Sequence, residues 1–436
     1  MTHPSLNRRA FVGQLAMVAA APFARTQVAR APLRANGARV NGWLARFDAI
    51  GRAAGGINRV AYSEADLAGR AFTLDLFRNA GLAPRIDAAG NIVGRLEGAE
   101  PSLPPILIGS HVDSVTDGGN YDGPVGSFGA IEVAQSLREQ GVGLRHPLEV
   151  VVWQNEEGGT IGSKLAIGEL TSAGLDAVAR SGKTLREGIG LVGGSVENLA
   201  GAVRTRGSVH AYVELHIEQG GTLERSNLRI GTVTGIVGLR WLDVAIDGFA
   251  NHAGTTPMDR RQDALLAAAR FTVAVNDTVR AEAGRQVATV GRLVASPNMR
   301  NVIPGRIELT VDLRDLDVAK LDRLEARLRQ LAEEIGRTSG TTFSVTQAVV
   351  SAPAMADTRM MEWIDQSAAA LGLPSQRMPS GAGHDAQEIA HIAPMAMIFV
   401  PSVGGISHSP REFTKAEDIA SGVDVLLNAV VRADRG

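Results

Sequence analysis

Residues 148–159 read LEVVVWQNEEGG, a nearly continuous apolar run that ends in two adjacent carboxylates and two glycines. Such a run is typical of a strand buried on both faces of a sheet. The strand delivers Glu156 and Glu157 to one spot with different neighbours. One carboxylate can then bind a metal ion while the other moves protons, a division of labour that suits the hydrolysis of unreactive amides.

The rest of the chain shows two kinds of pattern. Residues 38–230 and 351–436 alternate predicted strands with helices, as α/β domains do. Residues 231–350 follow the order β-α-β-β-α-β, which is that of the ferredoxin-like split βαβ sandwich. We therefore predict an α/β catalytic domain formed by 38–230 and 351–436, interrupted by an α+β lid or dimerisation domain, 231–350.

Composition narrows the class of function. The 436 residues contain 44% hydrophobic and 21% charged residues, which describes an ordinary globular protein. A formal net charge of -2 leaves no basic excess for nucleic acid or anionic lipid, so we predict neither partner. The absence of cysteine excludes disulfides, thiolate metal sites and a cysteine nucleophile. Any metal ion must be bound by His, Asp and Glu.

The N-terminus predicts export. Arg8 and Arg9 precede Phe11 and an uncharged apolar stretch, 12–21, shorter than the roughly 20 residues that span a bilayer. The pattern resembles a twin-arginine signal. We predict that residues 1–31 are a signal peptide and that the mature protein is periplasmic and not membrane-bound, with a cytoplasmic location as the alternative.

Candidate metal ligands recur at the ends of predicted strands. They are His111, the Glu156–Glu157 pair, His216 and His408. Ligand sites of open α/β sheets form at the carboxyl ends of strands. Asp122 lies in a Gly-rich loop after His111, and Asp113 is placed to accept the other ring N–H of that histidine. If one glutamate of the pair is a ligand, these are five N and O ligands with one carboxylate able to bridge, which suits two divalent ions such as Zn, Mn, Co or Ni.

Several motifs together resemble the hydantoinase/carbamoylase family of metal-dependent amidases, which includes N-carbamoyl-L-amino-acid hydrolases and allantoate amidohydrolases and is related to dinuclear metallopeptidases and aminoacylases. The motifs occur in family order over nearly the whole chain after residue 31. They are GSHVDSVTDGGNYDG (109–123), NEEGG (155–159), HIEQG (216–220), NHAGTTPM (251–258), NVIPG (301–305), SGAGHDA (380–386) and GGISHSP (404–410). The resemblance implies a dinuclear-metallopeptidase-like catalytic domain with a mixed sheet.

The resemblance also implies how the ligands are shared between two ions. One ion would be bound by His111 and His216, the other by Glu157 and His408, and Asp122 would bridge both. Glu156 would contact neither ion and act as the general base. Two ions would lower the pKa of a bridging water far below that of bulk water, toward about 7, and so provide hydroxide near neutral pH.

Other matched residues would bind the substrate. His252 would stabilise the oxyanion, typically in the active site of the partner protomer, which implies a homodimer. Asn301 and Arg314 would bind the carboxylate end of the substrate. Gln219 and the backbone around Gly383 would complete the pocket.

The chain departs from the family pattern beside the glutamate pair. Carbamoylases commonly have Arg-Phe shortly after this pair, whereas Thr160 and Ile161 follow it here. Met299 and Arg300 also stand where smaller or apolar residues are frequent. These departures leave the metal ligands intact and affect the identity of the substrate.

We therefore predict a metal-dependent amidohydrolase that cleaves a linear carbamoyl or ureido C–N bond, foremost of small N-carbamoyl-L-amino acids. One alternative is an allantoate or ureidoglycolate amidohydrolase. Another is a peptidase or aminoacylase on the same scaffold, against which the short spacing between His111 and Asp122 argues. The remote alternative is a non-catalytic periplasmic binding protein, which would not need the complete set of ligands and Glu156.

Overall fold

The computed structural model describes Met1 and residues 31–436. The predicted signal peptide, 1–31, therefore lies outside the described residues except at its two end positions. Residues 33–436 form one compact unit. In this part of the chain, no helix combines the length and the apolar character needed to cross a bilayer.

Fifteen strands and eleven α-helices are found in the described part of the chain. The strands are β1 (Arg52–Ala53), β2 (Gly56–Ile57), β3 (Arg85–Ile86), β4 (Ile92–Leu96), β5 (Ile106–His111), β6 (Leu148–Trp153), β7 (Ala211–Ile217), β8 (Ile230–Ile236), β9 (Gly238–Asp247), β10 (Val287–Ser296), β11 (Arg306–Asp315), β12 (Thr342–Ser351), β13 (Ala354–Met355), β14 (Ser375–Ser380) and β15 (Met395–Val400). The helices are α1 (Gly37–Phe47), α2 (Glu64–Asn79), α3 (Pro124–Glu139), α4 (Ile161–Ala166), α5 (Leu185–Leu191), α6 (Thr222–Arg225), α7 (Ala264–Ala281), α8 (Val318–Ser339), α9 (Thr358–Ala370), α10 (Asp385–Ile389) and α11 (Ala416–Arg435).

A nine-stranded mixed sheet forms the larger part of the fold. Its order is β13-β8-β15-β7-β5-β6-β4-β3, and β14 pairs with β8. The central strands β6, β5, β7 and β15 are parallel and buried throughout, as the apolar run at 148–153 predicts. Because these four strands end at one edge, the residues that end or follow them are brought together there.

Helices α1, α3 and α11 pack on one face of this sheet around an apolar core. Helix α3 approaches the sheet closely at Gly126, where a Cβ atom would lie only 2.0 Å from the carbonyl oxygen of Leu215 in β7. A second apolar cluster on the opposite face includes Tyr212, Phe399 and residues of α10. The carboxyl edge of the parallel strands therefore lies on a rigid, densely packed support.

A separate four-stranded antiparallel sheet has the order β10-β11-β9-β12. Strand β11 alternates buried and less buried residues, and its buried residues pack with Phe271 of α7 and Leu328 of α8. Helix α8 begins after Asp317, whose side chain accepts a hydrogen bond from the amide of Lys320, and ends at Gly340 with φ 68°. The order β-α-β-β-α-β agrees with the ferredoxin-like pattern predicted for the inserted segment.

The structure differs from the prediction at the start of the inserted segment. The predicted boundary at residue 231 falls inside β8, which belongs to the larger sheet because it pairs with β14 and β15. The four-stranded sheet therefore begins at Gly238 and ends at Ser351. The division of the chain into a catalytic and a lid domain stays a prediction, since residues 33–436 pack as one unit.

Candidate metal centre

The first part of the centre is built where β5 ends. His111 is the last residue of β5, and its Nε2 lies 3.4 Å from Oδ1 of Asp122. The loop that contains Asp122 approaches so closely because the next residue is Gly123, with φ 83°. A Cβ atom at Gly123 would lie 2.5 Å from the imidazole of His111. The glycine that follows Asp122 is thus required by the contact between the two candidate ligands.

The neighbouring strand β7 adds a second imidazole. His216 Nε2 lies 3.1 Å from Oδ1 of Asp122, and its Nδ1 faces the carbonyl oxygen of Ile217 at 2.9 Å. His111, Asp122 and His216 are all buried, and each has a ligand atom within 4.8 Å of the others. His216 Nε2 is buried without a hydrogen bond, so an electron pair on this nitrogen is available to a cation.

A second group shares the same aspartate. His408 Nε2 lies 3.4 Å from Oδ2 of Asp122 and 3.5 Å from Oε1 of Glu157. These three residues also place ligand atoms within 4.8 Å of one another. Two groups of three therefore meet at Asp122, which presents one carboxylate oxygen to each. This is the arrangement expected of a bridging carboxylate.

Glu156 lies beside the centre without belonging to either group. Its Oε2 is 3.7 Å from His111 Nε2, and the side chain is 10% exposed. Burial raises the pKa of Glu156 well above its ordinary value; the charge of His111 opposes this shift, and nearby carboxylates add to it. A buried carboxylate with a raised pKa at the edge of a charged site is suited to accept and return a proton.

Asp113 holds the glutamate pair in place. Its two carboxylate oxygens accept hydrogen bonds from the backbone N–H groups of Glu156 and Glu157 at 3.2 and 3.1 Å. His111 Nδ1 lies 3.1 Å from the backbone oxygen of Asp113 but 3.7 Å from its carboxylate, so the predicted carboxylate–imidazole hydrogen bond is replaced by one to the carbonyl. Asp113 therefore orients His111 through its backbone and the glutamates through its side chain.

The charges of the centre compensate one another. Burial opposes the charged form of His111, yet the carboxylate of Glu156 and the other acids raise the pKa of His111 well above its usual range. Burial and the neighbouring Asp122 raise the pKa of Glu157 to about 7. A hydrogen bond to Asp122 raises the pKa of His408 to about 9. Divalent cations would neutralise the same carboxylates, so the donor set fits metal ions.

Two residues that sequence reasoning missed support the bridging aspartate. Glu412 is buried, and its Oε1 accepts hydrogen bonds from the backbone N–H groups of Tyr121 and Asp122 at 2.8 and 3.0 Å. Ser407 Oγ lies 2.8 Å from both Glu412 Oε2 and Asp122 Oδ2. The signal in the sequence was an acidic residue four places after His408, in a loop rich in Ser and Pro.

A further buried layer lies behind His216. Glu214 accepts hydrogen bonds from Ser110 Oγ, Tyr212 Oη and the backbone N–H of Ala386. The ring of His384 packs against that of His216 with centroids 4.5 Å apart, and burial lowers the pKa of His384 well below its usual value. A neutral His384 therefore supports His216 by packing.

Gln219 contacts the centre directly. Its Nε2 donates to Oδ2 of Asp122 at 2.6 Å, and its backbone adopts φ 58°. Its Oε1 is buried without a hydrogen bond. The predicted substrate residue thus lies against the bridging aspartate. Gly383 is exposed in the loop after β14, and a Cβ atom there would come no closer than 3.5 Å to another residue.

Arg314 joins the smaller sheet to the edge of the larger one. Its guanidinium makes two hydrogen bonds to the carboxylate of Asp312, at 2.9 and 2.8 Å, and a third to the carbonyl oxygen of Gly381 at 2.8 Å. The planar fork of Arg314 is therefore paired with a carboxylate of the same chain, as in an ordinary salt bridge on a strand. The contact with Gly381 still places Arg314 at the loop that was predicted to line the pocket.

His252 and Asn301 lie at the other end of the smaller sheet. His252 forms a β-bridge with Val302, and the carbonyl oxygen of Asn301 accepts from the amide of Ala253, so the structure brings the two together. Both are exposed, and within residues 31–436 no described contact joins either of them to a candidate metal ligand. Strand β11 separates Arg306, near this end, from Arg314 by eight residues, or roughly 27 Å.

The ring of His252 has a defined orientation. Its Nδ1 accepts hydrogen bonds from the backbone N–H groups of Gly254 and Thr255 at 3.0 and 3.2 Å. A neutral imidazole that accepts at Nδ1 carries its proton on Nε2. His252 therefore presents an N–H donor away from its own loop.

A cluster of His, Asp and Glu at the carboxyl edge of a mixed α/β sheet, with one carboxylate left free beside it, defines a class of protein. It is the arrangement of a metal-dependent hydrolase.

Comparisons with known proteins agree with this class. Residues 107–432 match the family described as Peptidase family M20/M25/M40. An N-carbamoyl-L-amino acid amidohydrolase of Geobacillus stearothermophilus is 39% identical over 387 residues, covering 88% of this chain and 94% of that protein. An allantoate amidohydrolase of Bacillus subtilis is 34% identical over 399 residues, covering 89% and 95%. A crystal structure of a hydantoinase/carbamoylase family amidase from Burkholderia multivorans gives a TM-score of 0.86 at 37% identity, covering 93% of this chain and 99% of that one.

The chain therefore belongs to peptidase family M20/M25/M40, a family of metal-dependent enzymes, and is a hydrolase. The predicted resemblance to hydantoinase/carbamoylase amidases is confirmed, and so is the predicted fold class.

Proposed function

We propose that this protein hydrolyses the carbamoyl C–N bond of N-carbamoyl-L-amino acids. The observation that carries the proposal is the geometry around Asp122, which is shared by two groups of three ligands while Glu156 stays outside both. The named activities of the relatives place the substrate bond among C–N bonds other than peptide bonds. A complete ligand set with a free acid argues against a non-catalytic binding protein.

In the proposed reaction, the chain positions the substrate and moves one proton. Two divalent ions, bound by His111 with His216 and by Glu157 with His408, would supply acidified water and polarise the scissile carbonyl. Glu156 takes the proton of the attacking water and returns it to the departing nitrogen. Asp113 fixes the backbone from which Glu156 projects, so the carboxylate is in place before substrate binds.

The substrate would occupy a cavity of about 510 Å³ that is lined by His408 and Gln219. Gly381, whose carbonyl oxygen accepts from Arg314, lines the same cavity. We assign carboxylate recognition to Arg314, which requires its guanidinium to exchange Asp312 or Gly381 for the substrate. The exposed backbone around Gly383 leaves room for the substrate beside this loop.

We further propose that the active form is a homodimer in which His252 and Asn301 reach the site of the partner protomer. Both residues are exposed and lie away from the metal centre of their own chain. The Nε2–H of His252 then donates to the carbonyl oxygen that gains charge during attack. Asn301, held next to His252 by the same loops, contacts the substrate.

Release of ammonia from a panel of N-carbamoyl-L-amino acids by metal-loaded protein tests the proposal. We expect turnover that disappears on chelation and returns when Zn, Mn, Co or Ni is added. Metal analysis is expected to give two ions per chain, as a two-ion site requires. Hydrolysis of dipeptides or N-acetyl amino acids in preference to ureido acids would reassign the protein to a peptidase or aminoacylase.

Allantoate is the second candidate substrate, because the relative from Bacillus subtilis is named for it and aligns over nearly its whole length. The loop after Glu156 and Glu157 departs from the carbamoylase pattern, and this departure is relevant to the choice between the two substrates. Thr160 is buried with φ 56°, and its Oγ1 donates to Glu388 Oε1 at 2.9 Å, so this departure is fixed in the fold. Comparing kcat/KM for allantoate with that for N-carbamoyl-L-amino acids decides between the two.

Export remains a separate proposal, based on Arg8 and Arg9 and on the uncharged apolar stretch, 12–21, that follows them. We propose that a twin-arginine signal directs the folded protein to the periplasm. Cell fractionation of the full-length chain and of its Arg8→Lys, Arg9→Lys double variant tests this. Equal recovery of both proteins from the cytoplasm would exclude export.

A further inference from the structure

An exposed arginine of the loop that leads into β10 lines the proposed substrate cavity. Arg285 lies between α7 and β10, and it borders the cavity of about 510 Å³ that also contains His408, Gln219 and Gly381. It borders a second cavity of about 350 Å³ as well, and the two share Met378 and Pro379. Arg285 therefore lies where the cavity beside the metal centre meets the second cavity.

Arg285 differs from the other cations nearby because it has no partner. Within residues 31–436 its guanidinium makes no hydrogen bond or ion pair. In contrast, Arg314 is paired with Asp312, Lys320 with Asp315, and Arg377 with Asp365. An arginine without a carboxylate of its own can form a charge-assisted, two-point contact with a carboxylate of a ligand.

The acids that face the two cavities do not neutralise Arg285. Glu218 accepts hydrogen bonds from the backbone N–H groups of Thr222 and Leu223 at 2.6 and 2.8 Å, so its carboxylate is bound at the start of α6. Asp315 is bound to Lys320 at 3.0 Å. Within residues 31–436, neither acid of the two cavity linings is paired with Arg285, so its guanidinium can bind a carboxylate of a ligand.

We infer that Arg285 is a specificity-determining residue that binds an anionic side chain of the substrate, so the enzyme prefers N-carbamoyl amino acids with a second carboxylate. The inference rests on the proposed function and adds to it the chemistry of the side chain. The α-carboxylate stays with Arg314, and the side-chain carboxylate extends toward Arg285. The preferred substrates are thus acyclic ureido dicarboxylic acids.

The test compares N-carbamoyl-L-glutamate with N-carbamoyl-L-glutamine, which have nearly the same shape and differ in charge. We expect the wild-type enzyme to favour the glutamate compound by about tenfold in kcat/KM, as a charge-assisted hydrogen bond provides. In Arg285→Gln the ratio falls to about one, through a higher KM for the glutamate compound at little changed kcat. In Arg285→Glu the preference turns to N-carbamoyl-L-glutamine and to a side chain with an amine.

The matched control is Arg270→Gln. Arg270 is an exposed arginine of α7 that lines neither cavity, so this variant loses the same charge from the same part of the fold. We expect its ratio to equal that of the wild type. No preference in the wild type, or an Arg285→Gln variant that loses activity equally on both compounds, overturns the inference.

A binding measurement separates this inference from the reaction itself. Calorimetric titration of both compounds into metal-loaded Glu156→Gln protein, with and without Arg285→Gln, reports recognition without turnover. Tighter binding of the glutamate compound that depends on Arg285 supports the inference even if no ureido acid is hydrolysed and the proposed function fails. Equal binding of the two compounds contradicts the inference even if both compounds are hydrolysed.

Discussion

The carboxyl edge of the large sheet and the far end of the small sheet were both predicted to carry catalytic residues, yet they are built differently. At the edge of the large sheet, His111, Asp122 and His216 are buried and in contact. At the far end of the small sheet, His252 and Asn301 are exposed, and the contacts that they make within residues 31–436 stay among the two loops that carry them. The first region gathers its candidate metal ligands within a single chain. In the second region, within residues 31–436, the donors contact no candidate metal ligand.

This difference shows how the two kinds of residue can be recognised. Metal ligands must be preorganised against charge repulsion, so neighbouring groups hold them: Asp113 binds the glutamate backbone and Glu412 binds the loop of Asp122. In the proposed dimer, His252 would act on the substrate of the partner protomer and would need only a fixed orientation, which its two hydrogen bonds from backbone N–H groups provide. Removing a group that supports the buried ligands should therefore weaken metal binding, whereas removing His252 should lower only the rate of catalysis.

The largest expected effect within the buried region is that of Glu156→Gln. Loss of the proton acceptor should lower kcat by about 10²–10⁴. Metal content should be unchanged, because Glu156 belongs to neither ligand group. Steady-state kinetics and metal analysis of the same preparation check this. Loss of an ion together with activity would mean that Glu156 is a ligand instead.

In the exposed region, His252→Ala should lower kcat by about 10²–10³, the usual cost of removing an oxyanion donor, and leave metal content intact. Mixing it with Glu156→Gln distinguishes the two regions. A mixed dimer joins Glu156 of one chain to His252 of the other in one of its two sites, so random exchange of subunits should restore about a quarter of wild-type activity. Absence of recovery after verified exchange would place His252 outside shared sites.

Glu412 tests whether the support of Asp122 matters for metal binding. Glu412→Ala leaves the N–H groups of Tyr121 and Asp122 without their acceptor and should weaken metal affinity by about 10–100-fold. Glu412→Gln keeps an oxygen for these N–H groups and should recover most of that loss. Competition with a chelator measures both. Equal affinity in all three proteins would show that the aspartate loop needs no such support.

Sequence pattern predicted the strands of both sheets wherever burial repeats clearly. The run at 148–153 and the alternation along β9 are examples. It placed the start of the inserted segment at residue 231, inside β8, because this strand runs into β9 with only Val237 between the two strands. It also missed β14, whose polar sequence SQRMPS has no periodicity and which is held as a strand by pairing with β8.

For the site, the sequence predicted the residues that the structure gathers at one edge, because strand ends and glycines mark that edge in the chain itself. It could not predict which partner each side chain takes. The carboxylate of Asp113 turned out to bind the glutamate backbone, and Arg314 to pair with Asp312. Such choices depend on distances of a few tenths of an ångström, which residue spacing does not contain.

The smallest expected effects compare one helix start in each region. Asp317 caps α8 in the small sheet, and Asp357 caps α9 beside the large one, each by accepting from the amide three residues on. Replacing either by Ala should lower the free energy of unfolding by about 1 kcal/mol. Neither residue contacts a candidate metal ligand, so kcat should stay unchanged in both variants.

Hydrogen exchange in the same two variants then measures whether the two regions unfold separately. If the predicted lid domain is a cooperative unit of its own, Asp317→Ala should speed exchange in α7 and α8 while α9 keeps its protection, and Asp357→Ala should do the reverse. Equal acceleration in all three helices would mean that residues 33–436 unfold as a single unit and that the lid is not a separate domain.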